Sequence, residues 1–302
     1  MTDTDVVVVG GGPTGSAAAV FLARYGLDVV VFDRGSAALP RAAYVENYPG
    51  FPGGIDVGTL TDLLSDHVET AGATLVDDLV ESVERDDEGF RVATADGREP
   101  TASYVLAAAW YDGSYLRPVV GDDAFAVHEH HGEEHERFDP EFPERDGRTP
   151  VDGLYVAAPN GGRNAQAVVA AGQGAQVARS LIEDDRRAEG FPPALATEYD
   201  WLRPESEFAG EWGDRDRWRE WFANEAGDHD LSEERFAELR ERYIDRAFAT
   251  RRSPEAVEEL TAEGHRRLAE HLDDAALLDA ADDDAVREYA AELDARTDPS
   301  DD

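Results

Sequence analysis

The sequence predicts an α/β fold: a doubly wound parallel sheet built from two separated segments, with a small antiparallel arm and an α-helical C-terminal region. Three observations support this prediction. The chain opens on a β-branched run that ends in closely spaced glycines and leads into an Ala-rich run. A further strand and helix pattern returns at 151–188, and beyond 189 the apolar residues recur at helical spacing. Strand and helix patterns in alternation indicate βαβ units and a parallel sheet.

The opening strand, Val6–Val9, leads directly into the spacing G-x-G-x-x-G at Gly10–Gly15. In such a turn one glycine permits the sharp bend, one lets a pyrophosphate approach the backbone, and one brings the helix against the strand. The pyrophosphate lies at a helix N-terminus, where free N–H groups and the dipole favour negative charge. The turn therefore predicts a nucleotide site. Its candidate residues are Gly10, Gly12, Pro13, Thr14 and Gly15.

The second strand, Val29–Phe32, is followed by Asp33 and Arg34. In dinucleotide-binding βαβ units an acidic side chain about 20 residues after the glycines hydrogen-bonds a ribose hydroxyl. Asp33 stands at that place, and Arg34 is a candidate contact beside it. The alternative is a glycine-rich turn without a ligand. It would leave unexplained why a second strand that ends in an acidic residue follows at this distance.

Between the second strand and residue 115 the pattern predicts one helix and four strands. Leu60, Leu64 and Val68 recur at helical spacing, and Gly72 ends that helix. The middle two strands are predicted to pair as the antiparallel arm. The four strand patterns lie at 73–78, 80–86, 89–96 and 102–110.

The chain is predicted to have four parts. The connector between the two nucleotide-binding segments is rich in acidic residues, His and Pro, which is typical of a loop or a mobile segment. The parts are the first segment, 1–115; the connector, 116–150; the second segment, 151–188; and the helical region, 189–302.

Helix starts are marked at two places. Asn164 is the predicted N-cap of the Ala-rich helix, and Ser253 followed by Pro254 marks a later helix. Between these helices, an apolar stripe over 236–247 predicts another. Four of the five tryptophans lie at 201–221. They are interpreted as packing residues, because aromatic side chains bury much area, with a lid over a cofactor as the alternative.

Composition restricts the partners. The 302 residues include 67 acidic and 28 basic residues, and the formal charge is −39. All the basic residues are Arg. Such a surface repels nucleic acid and anionic membranes, so neither is an expected partner. The acid excess indicates a protein of halophilic archaeal type, because the Debye length in molar salt is only about 3 Å.

The absence of cysteine excludes disulfides, zinc–thiolate sites and a thiol relay from these 302 residues. The acidic N-terminus enters a strand directly, unlike a signal peptide, and no apolar run is long enough to span a bilayer. A soluble, cytoplasmic protein is therefore expected.

Four stretches of the chain resemble the FAD domain of the thioredoxin-reductase-like flavoproteins. The glycine motif is shared by many nucleotide folds, whereas "ENYPGFP" followed later by "QAVVAAGQGA" is much more specific to this family. The resemblance implies a Rossmann-like FAD-binding domain and covers about half of the chain, at 5–112 and 151–184. The stretches lie at 6–35, 45–55, 104–109 and 153–178.

The resemblance also implies roles for single residues. The first glycines would hold the FAD pyrophosphate, and Asp33 the adenosine ribose. Asn47 would lie near the flavin, and Asn160 would stand where the family has an Asp that bonds the ribityl chain. The backbone at Gln166 and Ala167 would face the pyrimidine end of the isoalloxazine from a helix N-terminus, which favours negative charge there on reduction.

The departures from the family pattern are equally informative. Family members carry a second nucleotide domain where this chain has only a short connector rich in acidic residues, and the redox cysteine pair is missing. Neither NADPH binding in the usual place nor disulfide reduction is therefore expected. The Gly-Gly-Gln segment that is usual in the family is missing between Gly35 and Glu46. Trp110 and Tyr111 replace smaller residues at a strand end. There they would either line the side of the site that faces the substrate or repack the surface after loss of the second domain.

A histidine cluster in the connector is the other candidate constellation. His128, His130, His131 and His135 stand among glutamates, and neutral imidazoles at such spacings could bind Zn²⁺ or Ni²⁺. A solvated, flexible loop is the favoured interpretation, because no rigid element is evident there. No metal site is therefore predicted.

The leading hypothesis is an FAD-dependent oxidoreductase of unknown substrate, reduced by an external electron donor, with a homodimer as a possible assembly. The alternative is a non-catalytic flavin- or nucleotide-binding protein that uses the fold for sensing or assembly. An NAD-dependent dehydrogenase would explain the glycines and Asp33 but not the two more specific stretches.

Overall fold

The computed structural model describes residues 3–35, 38–87, 89–109, 113–130, 133–157 and 166–297. Met1–Arg252 and Ser253–Asp302 form two compact units. The strands are β1 (Thr4–Val9), β2 (Val29–Phe32), β3 (Thr74–Val76), β4 (Val80–Arg85), β5 (Phe90–Thr94), β6 (Thr101–Ala107), β7 (Phe125–His130), β8 (Glu133–Phe138), β9 (Leu154–Val156), β10 (Arg203–Pro204) and β11 (Arg251–Arg252). The helices are α1 (Pro13–Tyr25), α2 (Val57–Thr70), α3 (Arg117–Val120), α4 (Ala167–Glu189), α5 (Arg215–Ala226), α6 (Glu233–Ala249), α7 (Pro254–Ala269), α8 (Asp274–Ala280) and α9 (Asp283–Thr297).

The central sheet is parallel in the order β3-β2-β1-β6-β9. Val8 of β1 lies opposite Val31 on one side and Leu106 on the other, and Leu106 pairs in turn with Tyr155. The second segment therefore joins the same sheet as the first, as predicted, although its strand pairs with β6 and not with β1. These valines are fully buried, which explains why the strands read as continuous apolar runs.

The predicted antiparallel arm is confirmed. β4 pairs with β5, and β5 pairs with the beginning of β6 through Phe90 and Ala102. The arm, together with Tyr115 and Leu116, covers one face of the sheet. Helices α1 and α4 cover the other face, so the sheet is buried on both sides.

Helices α1 and α4 approach each other closely at a glycine. A Cβ atom at Gly174 of α4 would lie 1.9 Å from the carbonyl oxygen of Thr14 at the beginning of α1. Only glycine allows this approach, which brings the N-terminal parts of both helices to the same end of the sheet.

Gly174→Ala should therefore destabilise the fold by at least about 2 kcal/mol, because the backbone of α1 must move to admit the methyl group. Gly172→Ala is the matched control on the same helix. Its Cβ would meet nothing within 4 Å, so the gain in helix propensity should stabilise the protein by roughly 0.5–1 kcal/mol. Urea unfolding of both variants in molar salt measures the difference. Equal stabilities would contradict the close-approach interpretation.

The prediction of a loop for the connector is wrong over 125–130 and 133–138. There the structure has an antiparallel hairpin, β7–β8, in which Phe125 lies opposite Phe138. The two rings meet edge to face with 5.7 Å between centroids, and the Arg117 guanidinium lies 3.8 Å from the Phe125 ring centroid. These contacts stabilise the end of the hairpin where β7 begins and β8 ends. The residues at the other end of both strands are polar, so the sequence lacks the alternation that predicts a strand.

The end of the connector is fixed to α4. The Arg148 guanidinium donates to both carboxylate oxygens of Asp184, at 2.7 and 2.8 Å. The hydroxyl of Tyr155 in β9 donates to the same carboxylate at 2.9 Å. Burial raises the pKa of Tyr155, and the charge of Asp184 raises it further.

Helices α5 and α6 form an aromatic core of their own within the first unit. Leu239 is fully buried, as the helical stripe predicts, and so is Phe222; Trp218 stacks on Phe208 with 6.0 Å between centroids. The indole N–H of Trp218 donates to the carbonyl of Trp212 at 2.8 Å. Trp212, Trp218 and Trp221 are packing residues, as expected, but they pack together and against α6. Trp201 is 72% exposed, so the packing interpretation is wrong for that residue.

An ion cluster around the buried Arg186 joins this helical region to α1 and α4. Glu198 accepts hydrogen bonds from Arg186 at 3.0 Å and from Arg246 at 2.6 Å. Arg246 also donates to the carbonyl of Tyr25 at the end of α1, at 2.9 Å. The Arg186 side chain is only 2% exposed, and it stacks over the ring of Phe191.

The second unit consists of α7, α8 and α9. The Ser253 hydroxyl accepts from the N–H of Ala256 at 3.2 Å and Pro254 is the first helical residue, so the predicted helix start is confirmed. Across the described ranges, no helix has the length and apolar character to cross a membrane.

Candidate functional site

A cleft of about 530 Å³ lies at the carboxyl edge of the parallel sheet, where β1, β2, β3 and β6 end. Open α/β sheets bind ligands at this edge, and the volume is typical of a ligand site. Its lining residues come from the glycine turn, the strand ends, the segment after β2 and the beginning of α4. They are Gly10, Gly12, Pro13, Thr14, Phe32, Asp33, Arg34, Ala38, Leu39, Ala42, Tyr44, Val45, Glu46, Asn47, Asp78, Leu79, Val80, Ala108, Ala109, Gln166, Ala167 and Ala170.

The glycine turn has the geometry that the sequence predicts. Gly10 has φ +101°, and its N–H donates to the carbonyl of Phe32 at 2.8 Å. A Cβ atom at Gly15 would lie 1.8 Å from the Gly10 carbonyl oxygen, so Gly15 is the close-packing position. Gly12 is the N-cap of α1 and carries no capping side chain. The N–H groups at this helix end are therefore aimed at the cleft without competition from a side chain.

Asp33 lies just beyond β2 at the wall of the cleft. A Cβ atom at Gly11 would be 2.8 Å from the Asp33 Cβ, so a glycine is needed there for the carboxylate to approach the turn. The Asp33 N–H donates to the carbonyl of Val76 at 3.0 Å, which ties the end of β2 to the end of β3. Arg34 lines the cleft beside it.

The other end of the cleft is formed by Asn47 and the beginning of α4. The Asn47 amide donates to the Gln166 side chain at 2.5 Å, although the two residues are far apart in sequence. A backbone bridge between Val45 and Ile55, at 3.0 and 2.9 Å, closes the segment that presents Asn47.

The predicted N-cap of α4 is wrong by two residues: Gln166, not Asn164, caps the helix. Gln166 has extended backbone angles and makes no capping hydrogen bond with its side chain, which is directed to Asn47 instead. The first N–H groups of α4 are therefore left for a ligand at this end of the cleft.

All the predicted site residues except Gly15 and Asn160 line this one cleft. Gly15 lies beneath the turn, and Asn160 is outside the described residues, as are Asn164, Trp110, Tyr111 and His131. The side chains of His128, His130 and His135 are also outside the description, although the backbone places His128 opposite His135 in the hairpin.

The sequence did not single out the end of β3 as part of the site. Asp78, Leu79 and Val80 line the cleft there, beyond Asp33. The signal that could have found them is topological, because β3 lies next to β2 and its carboxyl end meets the same edge of the sheet.

The Asp78 carboxylate is buried and fully hydrogen-bonded. Burial alone would raise its pKa, but hydrogen bonds from Thr94, Arg98 and the backbone N–H groups of Asp96 and Leu79 lower it to about 2. The distances are 2.5 Å from Arg98, 2.8 Å from the N–H of Leu79 and 3.2 Å from the N–H of Asp96. The group is therefore an ionised structural acceptor at neutral pH.

Comparison with known proteins identifies the ligand class. Residues 3–48 match the family described as "FAD binding domain". The thioredoxin reductase of Aquifex aeolicus is 33% identical over 107 residues, which cover 35% of this chain and 33% of that protein. The thioredoxin reductase of Schizosaccharomyces pombe is 33% identical over 135 residues, covering 41% of this chain and 42% of that protein. The chain thus spans between 33% and 42% of the length of these relatives.

A solved thioredoxin reductase from Gloeobacter violaceus has the same fold, with a TM-score of 0.51 and 18% identity over 67% of this chain and 98% of that chain. The fold is therefore a Rossmann-like FAD domain followed by a helical region. FAD is the cofactor that the family match and the relatives indicate. The glycine cradle, the acidic side chain after β2 and two uncapped helix N-termini on one cleft fit an FAD molecule.

Proposed function

We propose that the chain is an FAD-dependent oxidoreductase of thioredoxin-reductase-like ancestry that takes electrons from an external donor and does not reduce disulfides. The observation that carries this proposal is one cleft with the N-terminus of α1 at its centre, Asp33 towards one end and the N-terminus of α4 at the other. The proposal includes the division of the chain into four parts, which end at residues 115, 150, 188 and 302.

The chain's own residues would bind and orient the cofactor, whereas FAD, when bound, supplies the electron-transfer chemistry. Gly10, Gly12 and the first N–H groups of α1, at Pro13–Gly15, would hold the pyrophosphate. Asp33 would hold the adenosine ribose, with Arg34 beside it. The opposite end of the cleft takes the flavin.

At the flavin end, the proposed contacts are Asn47 and the backbone at Gln166 and Ala167. The positive end of the α4 dipole would favour negative charge on the isoalloxazine, and so favour its reduction. The Asn47–Gln166 hydrogen bond would keep this end of the cleft in position. Asn160 is proposed to contact the ribityl chain.

The proposal excludes disulfide chemistry because the 302 residues contain no cysteine. The relatives are named as thioredoxin reductases, and this chain spans only part of their length. The connector 116–150 is too short for a second nucleotide domain, so the electron donor must bind elsewhere or be a separate molecule.

The test is the spectrum and the redox behaviour of the purified full chain in molar salt. We expect a yellow protein with a flavin band near ~450 nm, FAD as the only flavin extracted, and rapid reoxidation of the photoreduced protein by quinones or dyes. A colourless protein that takes up no added FAD would contradict the proposal. Reduced flavin that reacts only slowly with every acceptor would favour the alternative, a non-catalytic flavin-binding protein.

We further propose that the protein functions in the cytoplasm of an extreme halophile, because 67 acidic residues face only 28 basic ones. Lowering salt from molar to roughly 0.1 M lengthens the Debye length from about 3 to about 10 Å, so exposed carboxylates repel one another over longer distances. The melting temperature and the flavin content should both fall in a dilution series at fixed pH. Sucrose at matched osmolality is the control, and a melting temperature independent of salt would contradict the proposal.

A further inference from the structure

The sheet order fixes the direction in which a dinucleotide lies in the cleft. Gly10 and Gly12 follow β1, Asp33 follows β2, and Asp78 follows β3, while Gln166 opens α4 after β9. A pyrophosphate at the glycines therefore has its adenosine half towards β2 and β3, and its flavin half towards α4. This direction rests on the proposed FAD binding.

The adenosine end is bordered by Leu79 and Val80, whose backbone Asp78 holds in place. The Asp78 side chain is only 1% exposed, and one of its oxygens accepts from the N–H of Leu79 at 2.8 Å. The Leu79 carbonyl accepts from the N–H of Ala95 at 2.8 Å, so the segment is fixed on both sides.

Arg98 completes the arrangement from the turn between β5 and β6. Its guanidinium donates to the second oxygen of Asp78 at 2.5 Å, and its N–H donates to the Thr94 hydroxyl at 3.1 Å. The Arg98 side chain is half exposed and is not among the residues that line the cleft. The guanidinium also pairs with Asp96 at 3.2 Å, but Asp96 does not line the cleft, whereas Asp78 does. The route from Arg98 to a ligand therefore runs through Asp78.

We propose that the Asp78–Arg98 pair is the positioning device that gives this site its preference for FAD over FMN. The pair holds the Leu79–Val80 backbone as the wall against which the adenosine half packs. FMN has no adenosine half, so its binding depends on the glycine turn and the α4 end alone. Loss of the pair should weaken FAD binding selectively.

The experiment measures the dissociation constants of FAD and FMN for the flavin-free full chain in molar salt, by quenching of flavin fluorescence. Wild type should bind FAD more tightly than FMN. Arg98→Ala should weaken FAD binding at least about tenfold and change FMN binding by no more than about twofold, as expected for loss of one charged hydrogen bond. Arg98→Lys, which keeps a cation beside Asp78, should restore most of the preference.

Arg91→Ala is the matched control, because Arg91 lies on the same arm and pairs at 3.5 Å with Asp86, which does not line the cleft. It should leave both constants unchanged. Asp78→Asn gives a second test, because the amide keeps an acceptor for the backbone N–H groups but cannot pair with Arg98, and it should match Arg98→Ala. A variant that keeps the full FAD preference, or that loses FAD and FMN binding equally, would overturn the inference. A wild type that binds neither flavin would overturn the proposed function instead.

Discussion

Gly12→Val should abolish FAD binding while the chain still folds. Gly12 has φ −67° and ψ −176°, an extended conformation that any residue adopts, so the backbone does not require glycine here. What requires it is the ligand: Gly12 lines the cleft as the N-cap of α1, where a pyrophosphate must approach the N–H groups. A branched side chain would occupy that space. The measurement is flavin content per folded chain after gel filtration in molar salt.

Two further variants separate loss of the ligand from loss of the fold. Gly172→Val introduces the same side chain on α4, where a Cβ atom meets nothing within 4 Å, and should keep the wild-type flavin content. Asp33→Ala should be milder than Gly12→Val, because it removes one charge-assisted hydrogen bond to a ribose, worth about 1.5–3 kcal/mol. If Gly12→Val folds and retains as much flavin as wild type, the cofactor does not lie on these glycines.

The parts of the site that the sequence predicts are those encoded within one short segment. The turn at Gly10–Gly15 and the acidic residue after β2 depend on spacing within a single βαβ unit, and the structure has both at the same edge of the sheet. The place of Gln166 and Ala167 required the family resemblance, because only tertiary structure brings α4 back to the glycine turn.

The parts that sequence reasoning missed depend on pairs of residues far apart in the chain. Asp78 and Arg98 belong to different turns, and the sequence of neither turn indicates that the two side chains form a pair. The β7–β8 hairpin was missed for a different reason: its outer residues are polar on both faces, so the alternation that marks a half-buried strand is absent. Its stability comes instead from Phe125 and Phe138 at the base, which are too far apart in sequence to be recognised as a pair.

At least one arginine stabilises the fold through an ion pair shielded from solvent, which composition alone does not reveal. In a chain with such an excess of acidic residues, carboxylates are available to pair with every arginine. Most such pairs are exposed and contribute little to stability in molar salt. The pair between Arg186 and Glu198 is different because the Arg186 side chain is buried, at 2% exposure, and the Glu198 side chain is only 14% exposed. Salt screens a buried pair much less than an exposed one.

Glu198→Ala should therefore cost about 3–5 kcal/mol of unfolding free energy, the usual effect of removing one partner of a buried ion pair. Arg186 would keep the Leu195 carbonyl, at 2.8 Å, and the Tyr25 side chain as neutral partners but lose its counter-charge, and its Nε already has no hydrogen-bond partner among the described residues. Arg246 would lose the carboxylate that holds it beside the C-terminal carbonyl of α1. Such a loss is a large share of the stability of an ordinary domain, about 5–15 kcal/mol.

Urea unfolding in molar salt measures this loss, and Glu238→Ala on α6 is the matched control. Glu238 pairs with Arg235 at 2.7 Å, but its side chain is 58% exposed, so its removal should cost no more than about 0.5 kcal/mol. Glu198→Gln should fall between the two, because the amide oxygen can still accept one hydrogen bond while the buried guanidinium loses its counter-charge. If Glu198→Ala costs no more than Glu238→Ala, the cluster does not hold the helical region against α1 and α4. The aromatic core around Phe222 and Leu239, which includes Phe191 after α4, and contacts such as Arg24 with Asp200 would then have to hold the helical region in place.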